Sequence, residues 1–141
     1  MTGESKEPAT TGKLRVLLVE DTPANQMLVT HVLNKQGHKV EVASNGHEAV
    51  RLAAQGSFDL ILMDVQMPEM DGLQATAAIR ALPSRPRVPI VAMTAFAMPG
   101  DRERCLAAGM DEYLAKPLDV RKLKEVMESL LRPRVAGSKP R

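Results

Sequence analysis

Apolar residues fall along the chain in two kinds of pattern. Leu14 to Val19 (broken only by Arg15), Asp59 to Met63 and Ile90 to Met93 are short runs without polar alternation. Such runs read as strands buried on both faces. Glu112 to Ala115 is a fourth short run, and Lys39 to Ala43 alternates like a strand with one exposed side. Between these runs apolar residues return at helical spacing. Pro23 to about Gln36 carries the stripe Leu28, Val29, Val32 and Leu33, and Val120 to Leu131 carries Leu123, Val126, Met127 and Leu130. Asn45 to Gln55, Gly72 to Leu82 and Pro99 to Ala108 are three further helices. Gly37, Gly56 and Gly109 stop helices, and Pro83 to Pro89 forms a loop. Pro23 suits a first turn and Asp119 an N-cap.

Strand and helix therefore alternate five times with short connections. That is the signature of an α/β fold, a doubly wound five-stranded parallel sheet with helices on both faces. The flanks differ from this body. Residues 1–12, rich in Thr, Gly, Glu and Pro, read as a disordered tail, and residues 133–141 as a basic tail or linker stub, which leaves 13–132 as one domain.

Composition changes the picture in three places. Aromatic residues are scarce (one Tyr, two Phe, no Trp), so Ala, Leu, Val and Met fill the core. Cys105 is alone, which rules out an internal disulfide and points to a reducing, cytoplasmic setting. It reads as a packed small residue. The net charge is +2, but residues 132–141 alone contribute +4 and residues 1–13 nothing, so the body is acidic at −2. The tail lacks the density and aromatics of a nucleic-acid arm, and no stretch is apolar enough to cross a membrane. No nucleic-acid or membrane contact is expected. His31, His38 and His47 show no metal-like spacing and read as surface or helix-face residues.

The chemistry lies where the strands end. The first delivers Glu20-Asp21, the third Asp64, the fourth Thr94-Ala95 and the fifth Lys116-Pro117. In a parallel sheet all these ends share one edge, the edge where open α/β sheets place ligands. Three carboxylates packed together require a cation, and an all-oxygen site suits a hard divalent ion such as Mg²⁺. A carboxylate, a metal, a hydroxyl and an ammonium are what phosphoryl transfer to a carboxylate needs. Singly, each has a plainer reading: Asp64 a turn cap, Glu20-Asp21 a helix N-terminus, Thr94 a helix cap, Lys116 a solvated strand end, Tyr113 core.

Taken in order, Leu17-Leu18-Val19-Glu20-Asp21, Met63-Asp64-Val65-Gln66-Met67-Pro68-Glu69-Met70-Asp71-Gly72, Met93-Thr94-Ala95 and Tyr113-Leu114-Ala115-Lys116-Pro117 resemble the receiver domain of two-component response regulators. The resemblance implies a flavodoxin-like (βα)5 fold with strand order 2-1-3-4-5. It implies that Asp64 accepts a phosphoryl group from a phosphohistidine on a histidine kinase or histidine phosphotransfer domain. It further implies that Glu20, Asp21, Asp64 and the Gln66 carbonyl hold Mg²⁺, and that Lys116 pairs with the phosphoryl oxygens or, before phosphorylation, with Asp64. Thr94 would swing toward the phosphate, Tyr113 would follow it inward, and Lys116-Pro117 would be cis. Gln66 and Phe96 would flank the solvent approach; Phe96 itself reads either as a screen of the acyl phosphate from water or as a residue packed on the fourth helix. Such a domain catalyses its own phosphotransfer and dephosphorylation, and phosphorylation switches the surface of the fourth helix, fifth strand and last helix, with dimerisation as one outcome.

Asp21-Thr22-Pro23-Ala24-Asn25-Gln26 and residues 100–111 resemble receivers of hybrid sensor histidine kinases. The alternatives are a stand-alone receiver or relay intermediate, and a binding module independent of phosphorylation. A haloacid-dehalogenase-like phosphatase would carry an Asp two residues after its nucleophile, where this chain has Gln66.

Overall fold

The structure is a computed structural model that describes residues 14–82, 87–95, 99–116 and 118–131. Five strands, β1 (Arg15–Val19), β2 (Lys39–Ala43), β3 (Leu60–Asp64), β4 (Ile90–Thr94) and β5 (Glu112–Ala115), form one sheet in the order β2-β1-β3-β4-β5. Every neighbouring pair is parallel. Five helices alternate with them: α1 (Pro23–Lys35), α2 (Gly46–Gln55), α3 (Gly72–Arg80), α4 (Asp101–Ala107) and α5 (Val120–Leu131). The predicted fold and strand order are the ones found.

The pleat divides the core in two, because successive side chains of a strand face opposite ways. Leu17, Val19, Ile61, Met63, Ile90 and Ala92 pack with Ala49 and Ala53 of α2, Ala75 and Ile79 of α3, and Cys105 of α4. Val16, Leu18, Leu60, Leu62, Val91, Met93 and Leu114 pack with Val29 and Leu33 of α1 and Leu123 and Met127 of α5. Both faces of β1, β3 and β4 are thus covered, which is why their sequences show no polar alternation. The edge strand β2 keeps that alternation and exposes Lys39 and Glu41.

Two expectations fail. Leu28, placed in the inward stripe of α1, is 53% exposed beside Met27 at 74%, and Val29 and Leu33 alone on that helix are buried. A stripe four residues wide is more than a helix needs when it meets a sheet on one side. His38 is not a surface residue: it is buried, its Nδ1 accepts the Leu14 N–H at 3.3 Å, and burial lowers its pKa.

At the end of the sheet that carries the β5 amino terminus, Asp111 gathers long-range contacts. Its carboxylate accepts from Arg80 Nη2 (2.9 Å) and the Ile90 N–H (2.8 Å) and pairs with Arg87. Arg80 also donates to the Gly109 and Val88 carbonyls. Phe96, Pro117 and both tails lie outside the described residues.

Candidate functional site

The carboxylates reach one place because β1 and β3 are neighbours and end side by side. Val19 stands opposite Met63, so Glu20 and Asp64 follow at matching positions. Just after β5 the Lys116 N–H donates to the Thr94 carbonyl at 2.8 Å, which fixes the start of the Lys116 side chain. Glu20, Asp64 and Lys116 also share the pleat parity of Leu18, Leu62 and Leu114, so all three lean toward the α1/α5 side.

Lys116 Nζ lies 3.2 Å from Asp64 Oδ2 and 3.2 Å from Glu20 Oε1. Glu20 Oε1 is buried, and the Lys116 ammonium is the charge that faces it. The other Glu20 oxygen accepts from the Thr22 N–H (3.2 Å) and Asn25 Nδ2 (3.3 Å), and Asp64 Oδ1 accepts from the Gln66 N–H (3.1 Å). Gln26 Nε2 anchors the Glu20 carbonyl at 2.6 Å and the Ser44 hydroxyl at 3.2 Å. Asn25 and Gln26 went unremarked as site supports in the sequence; their place on the first turn after the acidic pair was the available signal.

Burial, and then the charge of Glu20, push the Asp64 carboxyl up from 3.8 to about 6, against the pull of Lys116 and the Gln66 N–H. Burial alone would lower Lys116, but Asp64 and Glu20 outweigh it and hold its ammonium above the ordinary value. One ammonium faces three carboxylates. Asp21, exposed at the mouth, completes a group with Glu20 and Asp64 in which ligand oxygens lie within 4.8 Å of one another. An excess of negative charge and a set of oxygen-only donors fit a hard divalent cation.

The loop after Asp64 is held rigidly. Asp71 caps α3 in a reciprocal box with Gln74: the Gln74 N–H donates to Asp71 Oδ1 (2.9 Å) and the Asp71 N–H to Gln74 Oε1 (3.0 Å). Behind it Gly72 lies so close that a Cβ would stand 2.3 Å from the Asp64 carbonyl oxygen.

Residues 16–128 match the response regulator receiver domain family. The chain belongs to that family. The receiver is 44% identical over 127 residues to a signal transduction histidine-protein kinase, BarA, of Escherichia coli, a match covering 90% of this chain and 13% of that one. It therefore spans a small fraction of such a relative's length. Among solved structures it resembles the receiver domain of a sensor histidine kinase of Pseudomonas aeruginosa, crystallised with a magnesium ion in its active-site cleft (43% identity, TM-score 0.79, 86% of this chain and all of that one). It also resembles the receiver domain of Ssk1 of Saccharomyces cerevisiae, crystallised with the histidine phosphotransfer protein Ypd1 (32% identity, TM-score 0.76, 84% and 89% covered). The receiver is thus a domain of two-component phosphorelay signalling.

Thr94, at the end of β4, is buried. Its parity is that of Ala92, so it faces the α4 side, opposite to the carboxylates. There Gln66 Nε2 donates to Thr94 Oγ1 at 2.9 Å, and Gln66 Oε1 accepts the Ala95 N–H at 3.2 Å. Tyr113, paired with Ala92 one step back, is partly buried against the same face. The structure brings Glu20, Asp21, Asp64 and Lys116 into one cluster, and Thr94, Gln66 and Tyr113 into a second arrangement beside it. No helix among the described residues is long and apolar enough to cross a membrane.

Proposed function

We propose that Asp64 is the phosphoacceptor of this receiver. The observation that carries this reading is a buried carboxylate, raised to about 6, held 3.2 Å from a charged lysine at the carboxyl edge of the sheet. Near neutral pH that carboxylate is ionised and nucleophilic. One of its oxygens forms a bond to the phosphorus of a donor phosphohistidine as the P–N bond breaks. The electron pair returns to the imidazole ring, whose other nitrogen keeps its proton. Lys116 follows the charge from Asp64 to the phosphoryl oxygens, and Glu20, anchored by Thr22 and Asn25, keeps its place throughout.

Glu20, Asp21, Asp64 and the Gln66 carbonyl would hold Mg²⁺, which when bound neutralises the carboxylates and orients a phosphoryl oxygen. The Thr94 hydroxyl turns toward the phosphoryl group and Tyr113 moves with it, biasing the α4–β5–α5 surface, where Leu106 and Val120 are exposed. The donor is a histidine kinase or a histidine phosphotransfer domain, as the complex containing Ypd1 supports. Met27 and Leu28 leave an apolar face on α1, the helix that follows the acidic pair, for that partner. Kinase relatives support a hybrid-kinase origin.

The test is incubation with acetyl phosphate and Mg²⁺. A gain of one phosphoryl group, lost in Asp64→Ala, supports the reading; no gain overturns it. Steady turnover of phosphoesters would instead indicate a phosphatase, which Gln66 in place of an acid argues against.

A further inference from the structure

Gln66 connects two loops that the chemistry must separate. It follows Asp64 by two residues, yet its side chain crosses to the end of β4 and engages both the Thr94 hydroxyl and the Ala95 N–H. The carboxamide's orientation is set by its partners: a backbone N–H can only donate, so Oε1 faces Ala95 and Nε2 is left to donate to Thr94. Thr94 and Ala95 directly follow Met93, which pairs with Asp64 across the sheet and whose carbonyl accepts the Val65 N–H. They are therefore the strand-end groups best placed to turn to a phosphoryl oxygen on Asp64. A cavity of about 160 Å³, lined by Gln66, Thr94, Leu73 and Cys105 among others, adjoins this bridge and gives the two side chains room to rearrange.

We infer that the Gln66 carboxamide is a latch that competes with the phosphoryl group for the Thr94 hydroxyl and the Ala95 N–H. This rests on the reading of Asp64 as phosphoacceptor. While the latch is closed, Thr94 is held on the α4 side of the sheet. When a phosphoryl group arrives, both bonds exchange partners and the carboxamide swings out to solvent. Gln66 acts through Thr94 and Ala95 and is a positioning residue.

The experiment measures binding of beryllofluoride with Mg²⁺, a mimic of the phosphorylated carboxylate, to the full chain and to Gln66→Met, which keeps the length and loses both bonds. Two partly solvated hydrogen bonds must be broken in the wild type, so the variant is expected to bind about fivefold more tightly. The affinity for Mg²⁺ alone is measured beside it as the reference, and the Ala95 amide resonance of the unliganded variant should move upfield. Gln66→Ala should reproduce the gain. In a Thr94→Val background the gain from Gln66→Met should shrink, because one of the two bonds is already gone. An unchanged or weakened affinity for the mimic overturns the latch, as does an equal change in Mg²⁺ affinity. No binding of the mimic by wild type overturns the phosphoacceptor reading itself, and the latch with it.

Discussion

Asp64→Asn is expected to make the metal-free protein more stable. Burial and the Glu20 charge raise the folded-state pKa of Asp64 from 3.8 to about 6, so the folded protein binds this proton more tightly than the unfolded chain. A group of that kind loses stability as pH rises through the interval between the two values. Each tenfold in proton affinity is worth about 1.4 kcal/mol, so above pH 7 the ionised carboxylate costs about 3 kcal/mol, and at pH 5 about half of that. Asparagine keeps the shape and the acceptor for the Gln66 N–H but carries no charge. A gain of about 1–3 kcal/mol at pH 7.5 follows, or roughly 5–10 °C in midpoint. Thermal unfolding in chelator at pH 7.5 and pH 5, and again with Mg²⁺, measures it. The gain should shrink at pH 5, where Asp64 is mostly protonated, and shrink with Mg²⁺, which removes the repulsion. An asparagine variant no more stable than wild type at pH 7.5, or a gain indifferent to pH and metal, would refute the electrostatic account.

Four other outcomes can be checked directly. Mg²⁺ should bind more weakly at pH 5 than at pH 7.5, because the proton on Asp64 must leave first; calorimetric titration at the two values reads this. Gly72→Ala should destabilise by more than about 2 kcal/mol in urea unfolding, because the added carbon meets the Asp64 carbonyl and the Val65 Cα rather than a movable side chain. Asp111→Ala should cost about 2–4 kcal/mol, since it strips the Arg80 guanidinium and the Ile90 N–H of a largely buried partner. Finally, Leu28→Asp should slow phosphotransfer from a protein donor about tenfold while leaving the reaction with acetyl phosphate unchanged.

The strands were legible because parallel strands buried on both faces leave uninterrupted apolar runs, and each observed end lies within a residue of the expected one. β2, β5 and α5 match their predicted bounds. What the sequence hid depends on distant partners. Leu28 looks like its buried neighbour Val29, and only the position of the sheet tells them apart. His38 is buried by the start of β1, 24 residues away. The reciprocal box of Asp71 with Gln74 was visible in the spacing and makes Asp71 a helix cap. Asp111 and Arg80, 31 residues apart, carried no local pattern. For the site, strand ends announced Glu20, Asp21, Asp64, Thr94 and Lys116, because topology alone carries them to one edge. The Gln66 side chain belonged to no strand end, and its reach to Thr94 required coordinates.

The pleat that splits the core also splits the labour of the domain. Glu20, Asp64 and Lys116 sit with the α1/α5 layer, while Thr94, Gln66 and Tyr113 sit with α4. A chemical event on one side can reach the other only around the rim of the sheet, at the end of β4. With Asp64 as the proposed phosphoacceptor, capture and readout would be two separately adjustable properties of one small domain. Substitutions beneath the first layer should alter how tightly a phosphoryl group is held, and those beneath the second how far its arrival is felt.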